Sequence, residues 1–158
     1  MSKISNFSSV TGTPKIVVDA EGSILGRLAS QVAKRLLEGY EVSIVNCEKA
    51  VISGKKQSIL KEYLELHKKH TLSNPRRGPF HQKRPDRLVR RTVRGMLPYK
   101  KPRGKAAYHR LRTFIGVPEE LKSEQKIKFN VADARKLQCD KITVGELCQE
   151  FGWMKHLK

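Results

Sequence analysis

The apolar residues between Ile16 and Asn46 change spacing twice, and that change limits the folds open to the chain. Ile16-Val17-Val18-Asp19-Ala20 is a short, continuous, β-branched run. Such a run reads as a strand buried on both faces. Gly22 and Ser23 make the next turn. Leu25, Leu28, Ala29, Val32, Ala33 and Leu36 then recur in steps of three and four, the spacing of one face of an amphipathic helix. Arg27, Gln31, Lys34 and Arg35 fall on the other face, and Gly39 supplies the stop. Val42-Ser43-Ile44-Val45-Asn46 is a second strand, and Ala50-Val51-Ile52-Ser53 a third, shorter one. Gly54 opens a further helix with Ile59, Leu60, Tyr63, Leu64 and His67 on one face. Strand, helix, strand, helix predicts an α/β fold with a mainly parallel sheet of about four strands flanked by helices. A chain of 158 residues is expected to make a single domain around one core.

The regular pattern then breaks. From Thr71 to Pro85 the chain is a basic loop punctuated by Pro75, Gly78, Pro79 and Pro85. A helix follows, with Asp86 as its expected N-cap and Val89, Val93, Met96 and Leu97 as its apolar stripe. Pro98 ends it, and Tyr99 to Arg103 is a second basic loop. Lys105 to Arg110 reads as a helical turn, and Leu111-Arg112-Thr113-Phe114-Ile115 as the last strand, closed by Gly116 and Pro118. In the tail, Ile127-Lys128-Phe129 reads as extended. Thr143-Val144-Gly145-Glu146 is a capping box leading a short helix with Val144, Leu147, Cys148 and Phe151 on one face. Residues 1–14, rich in Ser, Thr and Gly, are expected to be loose.

Charge is distributed very unevenly over this framework. Residues 76–112 hold fourteen Lys or Arg against the single acid Asp86, so this segment supplies +13 of the chain's +18. So many like charges close together repel one another, and a polyanion is the usual relief. The residues expected to meet it are Arg76, Arg77, Lys83, Arg84, Arg87, Arg90, Arg91, Arg94, Lys100, Lys101, Arg103, Lys105 and Arg110. Arg87, Arg90, Arg91 and Arg94 stand three or four residues apart, so they share one side of the helix. A solvated helix face normally mixes signs, and this one does not. Phe80, in the first basic loop, either stacks on an unpaired base or anchors the loop on the core. Tyr99 carries the same two readings.

Other chemistries lack their residues. Gly22-Ser23-Ile24-Leu25-Gly26-Arg27-Leu28 matches neither G-x-G-x-x-G nor G-x-x-x-x-G-K-[ST]. Gly22 is therefore read as a turn glycine, Gly26 as a helix-packing glycine, and Asp19 as the cap of the turn. His67, His70, His81, His109 and His156 are scattered, with no His-Glu-x-x-His pattern and no nucleophile elbow. Cys47, Cys139 and Cys148 lie far apart and are expected as reduced, mostly buried thiols. No catalytic residue, metal site, cofactor or small-molecule substrate is expected. No apolar run reaches the length of a membrane span, and Met1 to Lys15 has no secretory h-region, so a cytoplasmic chain is expected.

Three motifs carry a resemblance. They are Val18-Asp19-Ala20-Glu21-Gly22 leading to Leu25-Gly26-Arg27-Leu28-Ala29-Ser30; Asn46 through Glu48 to Ile52-Ser53-Gly54-Lys55-Lys56; and Arg94-Gly95-Met96-Leu97-Pro98 with Arg103-Gly104, Arg110-Leu111 and Gly116-Val117-Pro118. Together they resemble the universal large-subunit ribosomal protein L13 family (uL13) across residues 15–118. The short loop 71–84 and the compact tail after Pro118 are similar to archaeal members. On this reading 1–14 is a loose N-terminus, 15–118 the family core and 119–158 a C-terminal extension.

The resemblance implies a structural, non-catalytic ribosomal protein. Its partners would be large-subunit rRNA, held on a basic loop-and-helix excursion from an α/β core, and neighbouring large-subunit proteins. Two other readings stand beside it. An RNA-modifying enzyme would need an acid/base pair or a cofactor loop, and a nucleotide bound at Gly22–Gly26 would revive it. A free nucleic-acid-binding regulator would be found away from ribosomes.

Overall fold

The computed structural model describes residues 14–74 and 76–154, so the expectation for residues 1–13 lies outside the described residues. The chain runs β1 (Lys15–Asp19), α1 (Leu25–Leu37), β2 (Glu41–Val45), β3 (Val51–Ser53), α2 (Lys56–Lys68), α3 (Pro85–Met96), α4 (Pro102–His109), β4 (Leu111–Thr113), β5 (Lys126–Ile127), β6 (Lys141–Thr143) and α5 (Val144–Glu150). Four strands form one parallel sheet in the order β4-β2-β1-β5. Val18 is paired with Ile44 on one side and Ile127 on the other. Sequence neighbours Val17 and Val18 are both buried, as are Ile44 and Val45. Neighbours in a strand point to opposite faces, so both faces of the sheet are covered.

The α/β fold with a mainly parallel four-stranded sheet is as predicted, but its membership differs. The short run Val51–Ser53 is not in the main sheet. It pairs antiparallel with β6, Ile52 facing Ile142. The fourth parallel strand comes instead from the tail, where β5 adds to the free edge of β1. Leu111–Thr113 is therefore an edge strand beside β2, and not the last one.

α1 is the central helix of the core. All six residues of its predicted stripe are buried, with Leu28, Val32 and Leu36 wholly enclosed. It stops where Gly39 takes a positive φ of 106°. Gly26 does not have the packing role expected of it: it is exposed, and a Cβ there would meet nothing within 4 Å. α2 is held more lightly. Ile59 alone is buried among its residues, and Leu64, expected inside, is half exposed.

The N-cap of α3 lies two residues earlier than expected. Pro85 takes the first helical position and Arg84 becomes the N-cap residue. Asp86 therefore caps nothing and instead pairs with Arg84 at 3.1 Å. The buried stripe is Leu88, Val89, Val93 and, just past the end, Leu97; Met96 is 42% exposed. The turn expected at 105–110 is a full helix started by Pro102. Its Gly104 is buried against the preceding loop. A Cβ there would overlap the Pro98 carbonyl and lie 2.9 Å from the Tyr99 nitrogen. Gly104 thus lets α4 close on the end of α3. The capping box at α5 forms as predicted: Thr143 Oγ1 accepts from the Glu146 N–H at 3.1 Å, and Glu146 Oε2 accepts from the Thr143 N–H at 3.4 Å.

Candidate nucleic-acid interface

α3 lays its buried side on the core and turns its arginines outward. Arg87 and Arg91 are exposed, while Arg90 and Arg94 are half-buried. Together with Gln82 and Tyr108 these four arginines line one cleft of about 330 Å³ between α3 and α4. The shared face read from the spacing is thus the face observed. Two tyrosines hold its inner members. The Arg90 guanidinium lies 4.8 Å from the Tyr108 ring centre, and that of Arg94 5.2 Å from Tyr99. The tyrosines meet each other edge to face at 5.3 Å. Cation–π contact of this kind attracts each guanidinium to the ring face and sets its plane. Arg90 Nε is buried without a hydrogen-bond partner.

The remaining basic residues surround this cleft unequally. Arg76 and Arg77 are exposed in the first basic loop, as are Lys83 and Arg84 nearer the helix. Lys100 and Lys101 share a hollow with Arg94 and Tyr99 at the end of α3. Arg103 and Lys105 project from α4, Arg103 reaching the Leu37 carbonyl at 3.4 Å. Arg110 is turned inward. It donates to the Leu36 carbonyl at 2.7 Å, tying the C-terminal end of α1 to the end of α4. Arg112 pairs with Glu41 at 3.4 Å.

Three loop residues join this surface to a second cleft, also of about 330 Å³, between α2 and α3. Phe80 is 62% exposed, and its carbonyl accepts a hydrogen bond from Arg91. The loop is therefore fixed to α3 through backbone, and the Phe80 ring is left outside the core. His81 and Gln82 line the second cleft, and Gln82 and Arg91 line both. Gln82 and Tyr108 carry no signal in the sequence. Neither is charged, and only the fold brings them beside the arginines.

The turn between β1 and α1, where an α/β sheet would hold a nucleotide, is closed by the chain itself. The N–H of Gly22 donates to Lys49 O at 3.3 Å, that of Ser23 to Ala20 O at 3.0 Å and that of Ile24 to Ala132 O at 2.6 Å. The N–H groups of residues 20–24 are thus all engaged within the protein. Asp19 caps the turn, as expected from its place. One carboxylate oxygen accepts from the Glu21 N–H at 3.0 Å and Asn46 Nδ2 at 2.9 Å, and the other pairs with Lys128 at 3.2 Å. Burial alone would raise its pKa. The bonds from Asn46 and Glu21, with Lys128 beside them, outweigh burial and hold the carboxyl below its usual value. Such a carboxylate stays ionised near neutrality and makes a poor general base.

Two of the three thiols are equally inert. Burial, with nearby acidic charge, pushes Cys47 and Cys148 up to about 12. Cys139 is exposed. No group of three or more His, Cys, Asp or Glu able to hold a metal occurs among the described residues. No described helix is long and apolar enough to cross a membrane.

Comparison with known proteins gives the chain's relatives. A family model described as ribosomal protein L13 matches residues 14–120. Proteins named large ribosomal subunit protein uL13 are similar over most of the chain. The one from Methanosarcina barkeri is 51% identical over 138 residues, covering 86% of this chain and 96% of its own length. That from Methanocaldococcus jannaschii is 49% identical with the same coverage. That from Archaeoglobus fulgidus is 43% identical over 152 residues, covering 95% of this chain and 96% of its own.

Proposed function

The chain belongs to the ribosomal protein L13 family, and from that premise we propose that it holds folded large-subunit rRNA on the arginine face of α3 and the loops around it. Members of this family are structural components of the cytoplasmic large ribosomal subunit and not enzymes. The observation that carries the RNA reading is the run of four arginines along α3, whose one acid, Asp86, is already paired with Arg84. Lys and Arg on such a face neutralise phosphates where RNA helices approach one another, and arginine adds two-pronged hydrogen bonds. The α/β core is the rigid platform, and neighbouring large-subunit proteins are the other partners.

The test is binding to a transcript of archaeal large-subunit rRNA across a salt series. If about six to ten phosphates are neutralised, affinity falls roughly 10³–10⁵-fold between 50 and 200 mM salt. A nearly flat dependence would overturn the reading. Sedimentation separates this function from that of a free regulator. The ribosomal protein stays with the large subunit after a high-salt wash, and a regulator is found only in light fractions.

A further inference from the structure

The cleft between α2 and α3 differs in kind from the arginine cleft it adjoins. Tyr63 and Leu66 of α2 and Leu88 of α3 give it apolar walls, and His67, Gln82 and Arg91 give it polar ones. Its volume of about 330 Å³ lies at the small end of the range for sites that take small planar molecules.

Two polar groups in it lack partners. His67 Nδ1 donates to the Tyr63 carbonyl at 2.8 Å, so in the neutral ring Nε2 is an acceptor, and that atom is buried with nothing bonded to it. A buried acceptor left unpaired is costly; no water reaches it in this conformation, and a base N–H that moved the neighbouring side chains aside to reach it would remove that cost. Gln82 is half-buried, and its carboxamide, a donor and an acceptor together, makes no hydrogen bond to any described residue. The His67 ring is held in place by stacking on Phe151 at 4.5 Å with planes 4° apart. His81 lies 5.2 Å from it and tilted by 41°, giving the cleft a second flat ring.

We propose that this cleft receives one unpaired base of the bound RNA. The proposal rests on the RNA-binding reading above and goes further, by adding a base contact to a surface otherwise made for phosphates. A base offers ring faces for His81 and ring-edge N–H and C=O groups for His67 and Gln82. Arg91 and Gln82 border both clefts, so a base inserted in the first leaves its phosphate over the arginines of the second. Phe80, exposed in the same loop, stands ready to stack on a neighbouring base.

The test uses the full chain and the same rRNA transcript. Gln82→Ala removes the free carboxamide. His67→Phe keeps the stack on Phe151 and removes Nε2, and urea unfolding reports whether it has folded. Loss of a base contact lowers affinity roughly ten-fold and leaves the salt slope unchanged, because no phosphate contact is lost. Ultraviolet cross-linking then places a nucleotide on the peptide that contains His81 and Gln82. If Gln82→Ala binds like the parent and no cross-link falls there, the base slot is wrong while a steep parental salt slope keeps the RNA reading intact. If the parent does not bind the transcript, both fail together. If Gln82→Ala binds the transcript normally but is lost from assembled subunits, the cleft holds a protein side chain and the proposal is overturned.

Discussion

Helices α1 and α3 are nearly the same length, and each buries one stripe, but their outward faces are built differently. α1 buries six residues and keeps an acid at its end, with Arg35 and Glu38 2.9 Å apart. Its basic residues Lys34 and Arg35 sit in the last turn, where the helix dipole favours them. α3 buries Pro85, Leu88, Val89 and Val93, and beyond its first turn it has no acid at all. Its arginines at 87 and 91, and at 90 and 94, repel at i, i+4 spacing, and tyrosines from outside the helix steady the inner two. The apolar stripe says where a helix sits. The outward face says whether the helix satisfies its charges within the protein or leaves them for something else.

Substitutions that act on one face and spare the other sharpen this contrast. The largest effect is expected from Leu28→Ala in α1. Leu28 is wholly buried, so the cavity should cost about 2–5 kcal/mol in urea unfolding. RNA affinity per folded molecule should not change, and a change would mean that α1 is not purely part of the platform. Val93→Ala on the inner side of α3 should cost about 1–3 kcal/mol, again with binding altered only through the folded fraction. Arg87→Ala should do the reverse. Its side chain is exposed and pairs with no described residue, so stability should stay within about 0.5 kcal/mol of the parent. The salt slope of RNA binding should drop by about one phosphate contact. If Arg87→Ala unfolds easily and binds RNA normally, the division between the two faces is wrong.

What could be read from the chain follows the range of the interactions involved. α1 was legible residue by residue because its stripe repeats over three turns. The Thr143–Glu146 capping box was legible because it is closed by residues three apart. The stripe of α3 was read correctly at Val89, Val93 and Leu97, but Met96 was taken for Leu88. A helix ending at Met96 leaves that side chain past the packed turn, and no local signal marks the end. Leu64 failed for a related reason: α2 touches the core at few points, so a helical period does not guarantee burial. β5 was only faintly legible. Lys126 and Ile127 are both exposed, and only pairing with Val17 and Val18, more than a hundred residues earlier, makes them a strand. In the candidate interface the charge was visible, because Lys and Arg are visible in any sequence. The inward turn of Arg110 and the arrival of Tyr108 under Arg90 were not, since both depend on how α4 closes on its neighbours.

The placement of β5 also sets a schedule for how the protein is made. β1 is the second strand from the edge of the finished sheet, yet its outer partner is synthesised long after β2 and follows even β4. Until residues 126–127 leave the ribosome, β1 shows an open row of backbone donors and acceptors, the kind of edge on which chains join to one another. Residues 129–134 arrive just afterwards and close the turn at Gly22–Ile24. The nascent chain therefore passes through a stage in which its most basic stretch has already emerged while its sheet is still unfinished. Non-local parallel pairing of this kind forms slowly and leaves intermediates prone to aggregation. For this protein the hazardous interval falls between translation of β1 and of β5, before any subunit has accepted it.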